Sequence, residues 1–336
     1  MTEERSNPHD SFSRRMLARP ENAAAVIRPQ LPPALARQID WDSLELQSGS
    51  YIAPELQNLF SDLPFRARLN GRPAYIYCLL EHQSSSDRFM AFRMLEYTVR
   101  IWRGHLARCR EEHKRDPERM PKPTMLPVVI PVVLHVDARG RAWSAPTELG
   151  DLLDIDAEGR AALGPYLPRL EFLLDDVAVQ DAAAIRERDV PPAVRLLLVA
   201  LRVAPRNTDL GKVMLDMFDE LRALDTGPDP LGDLKALLTY LFKVGETPAE
   251  DIEPVFEQLG PRGKEAVVTT EEMIAARVEA RAAARTRVEM LLELMSIKFG
   301  SLPDAVVQRV WSADADQVRG WAARVLTALT LEEMFV

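Results

Sequence analysis

The sequence has little cysteine and no long apolar run, and each absence limits what the protein can be. Its two cysteines, Cys78 and Cys109, form neither a CxxC pair nor a disulfide framework, a pattern that favours a reducing compartment. No stretch approaches the ~18 apolar residues of a membrane span, and residues 1–19 contain no apolar signal segment. We therefore expect a cytoplasmic protein with no membrane-embedded part.

Glycine-rich phosphate loops are also missing, since the sequence has neither a Walker loop nor a GxGxxG motif. The net charge is −9, from 42 basic and 51 acidic residues, and such a charge repels nucleic acid unless basic groups cluster. They do cluster between Asp62 and Arg110, where nine arginines accompany four acidic residues. Contact with nucleic acid phosphates is expected on this segment, and the alternative is that the arginines of its helix form only a solvated face.

The same segment has the pattern of a β-hairpin. Residues 63–69 alternate apolar and polar side chains, which predicts a half-buried strand. Asn70-Gly71 follows, and this pair favours a two-residue type I′ turn because both of its central residues need positive φ. The second strand runs through "YIYCLL" and ends in the polar segment "EHQSSS".

A two-residue turn fixes which side chains of the hairpin share a face. Asp62 then lies opposite Leu79, and Glu81 is one diagonal step away on the same face. Gln83 follows two residues later and points the same way. Carboxylates in this arrangement can share a hard cation such as Mg²⁺. Such an ion can generate a hydroxide nucleophile from water for the hydrolysis of a phosphodiester. The alternative is that Glu81 and Gln83 are only the solvated face of the strand.

The order of the predicted elements indicates the fold class. Short helices up to residue 39 precede the hairpin, and a helix is expected from Asp87 to about Glu112. Its apolar stripe is predicted to comprise Phe92, Leu95, Val99, Trp102 and Leu106. "LPVVIPVVLHV" predicts a strand covered on both faces, and its Pro131 indicates an edge or a bulge. We expect an α/β fold with a mixed sheet flanked by helices.

Everything after Pro191 has a helical pattern, so the C-terminal half is expected to be all helical. We divide the chain into a mixed-sheet core at residues 1–180, a helical extension at 181–262, and a long helix with a small helical domain at 263–336. The C-terminal helices are candidates for self-association into a homo-oligomer. A zinc site at His105, Cys109 and His113 is an alternative that lacks a fourth ligand.

Four quoted segments carry a resemblance to a known family. They are "PHDSFSRRML", "SDLPFRARLNGRPAYIYCLLEHQSSSDRFMAFRMLEYTVRIWRGHL", "LPVVIPVVLH" and "ALGPYLPRLEFLLDD". The chain resembles the Rpn family of recombination-promoting nucleases and putative transposases, also called YhgA-like, in the PD-(D/E)xK nuclease superfamily. The similarity extends over about residues 8–245. The segment from Arg285 onward resembles a small helical domain of unknown function.

The resemblance implies roles for individual residues. Asp62 takes the place of the first motif acid, Glu81 that of the second, and Gln83 the position usually held by lysine. Asp10 could supply a further acid from the first helix, although a helix N-cap role is the simpler interpretation.

The implied activity is that of a metal-dependent DNA endonuclease linked to recombination or mobile elements. Its cofactor is expected to be Mg²⁺, or another divalent cation such as Mn²⁺ or Ca²⁺. Contacts to the DNA backbone are expected from four arginines: Arg66, Arg68, Arg100 and Arg103. The alternative is a weakly active or inactive nuclease-fold protein that acts as an interaction or regulatory module through its helical half.

Overall fold

A computed structural model describes residues 7–47, 62–81 and 86–335. Within these ranges five strands form one mixed sheet in the order β1-β2-β3-β4-β5. The strands are β1 (Ile39–Leu46), β2 (Asp62–Leu69), β3 (Arg72–Glu81), β4 (Val128–His135) and β5 (Leu173–Asp176). Strands β1 to β3 are antiparallel, whereas β3, β4 and β5 run parallel. The α/β class predicted from the sequence is confirmed.

Helices precede, cover and follow this sheet. They are α1 (Pro8–Leu17), α2 (Pro20–Ile27), α3 (Pro33–Ala36), α4 (Met90–Arg115), α5 (Ala157–Leu163), α6 (Ala182–Arg186), α7 (Pro192–Val203), α8 (Leu210–Asp216), α9 (Phe218–Asp225), α10 (Pro230–Val244), α11 (Ala249–Glu257), α12 (Pro261–Phe299), α13 (Asp304–Trp311) and α14 (Ala315–Arg324). Many begin with proline, whose missing N–H would have no helical partner at that position. The predicted helical C-terminal half is confirmed.

The β2–β3 hairpin forms as its turn chemistry predicts. Asn70 and Gly71 have φ angles of 49° and 77°, which a type I′ turn requires. Leu69 pairs with Arg72, and the ladder continues without a shift to Asp62 opposite Leu79. The predicted cross-strand register is therefore confirmed.

Helix α4 packs on one face of the sheet, but with a different stripe from the predicted one. Phe92 and Val99 are 48% and 40% exposed, so that part of the prediction is wrong. The buried stripe comprises Met90, Ala91, Met94, Tyr97, Thr98 and Ile101. Tyr97 stacks on Tyr77 of β3, with ring centroids 4.7 Å apart. Both stripes have helical spacing, and the contact with this aromatic strand face determines which one is buried.

Strand β4 is an interior strand, contrary to the expectation raised by its proline. Pro131 pairs with Tyr77 of β3 without a bulge. On the other side, β5 begins to pair with β4 only at Val132. The segment of β4 up to Pro131 therefore has a local edge, where proline is tolerated.

The two faces of the sheet pack into different cores. One face, including Leu63 and Phe65, joins α1, α2 and α7–α11 in a single large core. The other face packs under α4. The sheet thus packs against helices on both of its faces.

The chain divides into two compact units, and the division falls between Val267 and Val268, inside α12. The C-terminal unit has a core of its own, centred on Leu291, Met295 and Trp321. No described helix is long and apolar enough to cross a membrane.

Candidate functional site

The register of the sheet places Asp62 and Glu81 on one face of neighbouring strands. Asp62 is the first residue of β2 and pairs with Leu79, while Glu81 ends β3 two residues further on. Leu79, the partner of Asp62, packs in the core under α4. The two-residue period of a strand therefore assigns the positions of both Asp62 and Glu81 to that face of the sheet. Neighbouring strands are ~4.8 Å apart, which allows two acids in this arrangement to bind one cation.

The polar segment after β3 is only partly described. Gln83 lies outside the described residues. Ser86 Oγ accepts a hydrogen bond from the Ser144 N–H at 3.0 Å. The Asp87 carboxylate accepts from the Phe89 N–H at 2.8 Å, one residue before α4 begins. No side chain among the described residues caps the first turn of α4 itself.

Asp10 lies in the first turn of α1, and its N-cap interpretation is wrong. The cap is Asn7, whose side chain accepts from the His9 N–H at 3.1 Å. The Asp10 carboxyl is partly buried and has no hydrogen-bond partner among the described residues. Burial raises its pKa from 3.8 to about 6. An acid that is partly desolvated and unpartnered is a candidate for cation binding or proton transfer.

Helix α1 is held firmly by α10. His9 Nδ1 and Tyr240 Oη are 2.8 Å apart, and the Phe12 ring stacks on Tyr240. The fully buried Asp233 forms ion pairs with Arg15 at 2.9 Å and Arg19 at 2.6 Å. Helix α1 is therefore anchored by residues that precede and follow Asp10 in the sequence.

The position of α1 limits how Asp10 can join the other acids. Helix α1 contacts β2 but packs with Leu63 and Phe65, on the face opposite Asp62 and Glu81. The structure therefore does not bring Asp10 onto their face. A shared site would have to form around the end of β2.

The four arginines expected to contact DNA remain available for such contacts. Arg66, Arg68 and Arg103 are exposed, and Arg100 is partly exposed. Within the described ranges none of the four forms an ion pair. Arg66 and Arg68 follow Asp62 on the same face of β2, and they line a polar cavity of about 250 Å³ together with Ser43 and Glu45.

A histidine next to Glu81 was missed in the sequence because it ends an apolar strand. His135 is the last residue of β4 and pairs with Glu81 on one side and Asp176 on the other. It is 2% exposed, and its Nδ1 lies 2.8 Å from Asp176 Oδ1. The available signal was a polar residue at the end of each of three parallel strands, where α/β proteins commonly bind ligands.

The zinc alternative on α4 is not supported. His105 Nδ1 lies 3.4 Å from Tyr75 Oη, while His113 Nδ1 lies 2.6 Å from the Met120 carbonyl. Burial and the neighbouring Arg108 and Arg66 lower the pKa of His105. In the part of the chain that the structure describes, no three His, Cys, Asp or Glu side chains are grouped to hold a metal.

The fold and the site define an α/β protein with acidic residues at the ends of adjacent sheet strands. Residues 7–230, about two thirds of the chain, match the family model "Putative transposase, YhgA-like". The chain belongs to this family, which confirms the resemblance to YhgA-like proteins noted in the sequence.

Several relatives bear names that describe nucleases. The recombination-promoting nuclease RpnD of Escherichia coli O157:H7 is 29% identical over 271 residues, which cover 80% of this chain and 94% of the relative. RpnA of Escherichia coli K12 is 36% identical over 101 residues, 30% of this chain. That match spans only 35% of the length of RpnA.

Other relatives are named inactive. RpnE of Escherichia coli K12, an "inactive recombination-promoting nuclease-like protein", is 32% identical over 100 residues, which are 30% of this chain and 33% of RpnE. A comparison with solved structures finds no match.

Proposed function

We propose that this protein is a metal-dependent endonuclease that hydrolyses phosphodiester bonds in DNA. The observation that carries the proposal is the β2–β3 register, which puts Asp62 and Glu81 on one face of adjacent strands. The names of RpnD and RpnA support nuclease activity and a link to recombination. The resemblance to the PD-(D/E)xK superfamily supports the assignment of these two acids as metal ligands.

The donor set fits a hard divalent cation. Two carboxylates can bind Mg²⁺ while leaving room for waters and a substrate phosphate, and Mn²⁺ or Ca²⁺ can occupy similar oxygen sites. When bound, such an ion supplies a hydroxide nucleophile and neutralises the charge that develops on the phosphate. Asp62 and Glu81 hold the cation at the end of the hairpin.

Gln83 and the arginines have supporting roles in this proposal. The amide of Gln83 can orient water or a phosphate oxygen, but it cannot accept a proton as a general base. Arg66 and Arg68 lie four and six residues after Asp62 on β2, which corresponds to about 13–20 Å along a strand. At that distance they can contact DNA phosphates that flank the cleaved bond. Arg100 and Arg103 extend the basic surface onto α4.

Calorimetric titration with Ca²⁺ tests the site directly, because Ca²⁺ binds carboxylate oxygens. We expect Glu81→Ala to lose this binding and Mg²⁺-dependent plasmid cleavage together, while its far-ultraviolet circular dichroism stays that of the wild type. Asp154→Ala removes an exposed carboxylate outside the site and serves as the matched control. Equal Ca²⁺ binding and equal cleavage by Glu81→Ala and wild type would refute the assignment.

A second candidate function is favoured by one observation, the relatives that are named inactive. In that case the nuclease fold would serve as a scaffold for interactions, and the C-terminal unit with its separate core would bind a partner. The absence of cleavage with every divalent cation, in a protein that still binds DNA, would support this alternative.

A further inference from the structure

Three parallel strands end in a row of ionisable residues on the face that α4 covers. Glu81 of β3 pairs with His135 of β4, and His135 pairs with Asp176 of β5. Residues paired in this way project to the same side of a sheet, from strands ~4.8 Å apart. His135 therefore lies between the proposed metal ligand and a second carboxylate.

The imidazole of His135 is anchored on its Asp176 side. Its Nδ1 is 2.8 Å from Asp176 Oδ1, and the other oxygen of that carboxylate accepts from the Trp143 N–H at 2.8 Å. The Trp143 ring packs edge-on against the imidazole, with centroids 5.2 Å apart. The carboxylate is thus fixed by the backbone, and the ring by both the carboxylate and the indole.

This anchoring leaves Nε2 for another partner. A neutral imidazole whose Nδ1–H donates to Asp176 presents a lone pair at Nε2, which is directed away from Asp176. Within the described ranges Nε2 has no hydrogen-bond partner. A histidine that binds a metal commonly donates its other ring N–H to a carboxylate, which sets the tautomer and the ring orientation.

We propose that His135 is a nitrogen ligand of the metal site through Nε2, and that Asp176 is the residue that positions it. This inference rests on the proposed function, because it adds a ligand to the site of Asp62 and Glu81. The family resemblance noted in the sequence assigns no role to His135.

A nitrogen ligand changes which metals the site prefers. Sites made only of oxygen ligands suit Mg²⁺ and Ca²⁺, whereas imidazole raises the affinity for later first-row ions such as Co²⁺. The site should therefore bind Co²⁺ more tightly than Ca²⁺, and the excess should depend on His135. Loss of an outer-shell carboxylate typically weakens metal binding ~10–100-fold, so Asp176→Asn should also weaken Co²⁺ binding.

Calorimetric titration of the full-length protein with Co²⁺ and with Ca²⁺ tests this inference without measuring activity. We expect His135→Gln to weaken Co²⁺ binding at least ~10-fold and Ca²⁺ binding much less. His113→Gln, which removes a histidine from the far end of α4, should bind both ions as the wild type does. Unchanged Co²⁺ affinity in His135→Gln would overturn the inference.

Two further variants keep the outcome decisive. If circular dichroism shows that His135→Gln does not fold, the Co²⁺ affinity of Asp176→Asn is measured in its place. Wild-type Co²⁺ affinity in Asp176→Asn would overturn the inference. Asp62→Ala separates this inference from the proposed function. If Asp62→Ala loses binding of both ions while His135→Gln binds both as the wild type does, the metal site of Asp62 and Glu81 is supported. The assignment of His135 as a ligand is then overturned.

Discussion

Replacing Asp10 by asparagine should make the protein more stable at neutral and alkaline pH, because the native structure disfavours the charged form of this acid. The carboxyl lies in the first turn of α1 without a hydrogen-bond partner among the described residues, and burial raises its pKa from 3.8 to about 6. Asparagine has nearly the same shape but carries no charge. The substitution therefore isolates the cost of ionising Asp10.

The size of the effect follows from the change in pKa. A rise of about two pKa units costs at most about 3 kcal/mol once the group is ionised. Solvent screening reduces this value because the side chain is only partly buried. The helix dipole also favours a negative charge in the first turn by ~0.3–1 kcal/mol, and asparagine loses that contribution. We expect a net gain of about 1–2 kcal/mol in the free energy of unfolding at pH 8.

The sign of the pH dependence is fixed by proton binding. Between pH 3.8 and about 6 the native state binds more protons at Asp10 than the unfolded state does, so native stability falls as pH rises through this window. Above about pH 6 the full cost is present. At pH 4.5 the gain in Asp10→Asn should shrink to about one third of its value at pH 8.

Urea unfolding followed by circular dichroism at pH 8 and pH 4.5 provides the test. The matched control is Asp219→Asn, which removes an exposed first-turn aspartate from α9 and should lose a small amount of stability at both pH values. An Asp10→Asn variant that is no more stable than the wild type at pH 8, or equally stabilised at both, would refute the reasoning. If Asp10 also binds the cation, Ca²⁺ at pH 8 should stabilise the wild type more than the variant.

The remaining predictions concern the chemistry and the DNA surface. Gln83→Ala should keep Ca²⁺ binding but slow single-turnover cleavage by ~10²–10³-fold, because this is the usual effect of losing one positioned polar group. Loss of Ca²⁺ binding in this variant would show that Gln83 has a different role. The double variant Arg100→Ala/Arg103→Ala should weaken DNA binding about equally across sequences and reduce its salt dependence. A control that removes two exposed arginines from the C-terminal unit, Arg287→Ala/Arg324→Ala, should keep the wild-type salt slope, and the same slope in both double variants would contradict this role.

Local chemistry made the hairpin predictable. Asn70 and Gly71 tolerate positive φ, and a two-residue turn leaves one register for the strands that flank it. The pairing of Asp62 with Leu79 therefore follows from a short segment, without knowledge of the rest of the fold. The backbone positions of Asp62 and Glu81 could be predicted for the same reason.

The buried face of α4 could not be predicted from periodicity. Phe92 and Val99 belong to a stripe with the same helical spacing as the one formed by Met94, Tyr97 and Ile101. The choice between them depends on contacts with β3, such as the stacking of Tyr97 on Tyr77, and these contacts join residues that are distant in sequence. Helical spacing identifies an apolar stripe but does not say which of two stripes meets the sheet.

The pairing of His135 with Asp176 was hidden for a related reason. His135 ends an apolar strand, Asp176 ends the short strand LLDD, and 41 positions separate the two residues. Only the parallel arrangement of β3, β4 and β5 brings them together beside Glu81. The Asn7 cap was missed because asparagine and aspartate are both favoured N-cap residues. Residue type alone therefore could not distinguish Asn7 from Asp10.

Cleavage of supercoiled plasmid by the purified protein tests the central claim most directly. We expect nicked or linear product with Mg²⁺ and none with EDTA. An Asp62→Ala variant that melts at the wild-type temperature should give no product, while Asp154→Ala should cleave as the wild type does. Cleavage by Asp62→Ala at the wild-type rate would contradict the account, and so would a wild-type protein that leaves the plasmid intact with both Mg²⁺ and Mn²⁺.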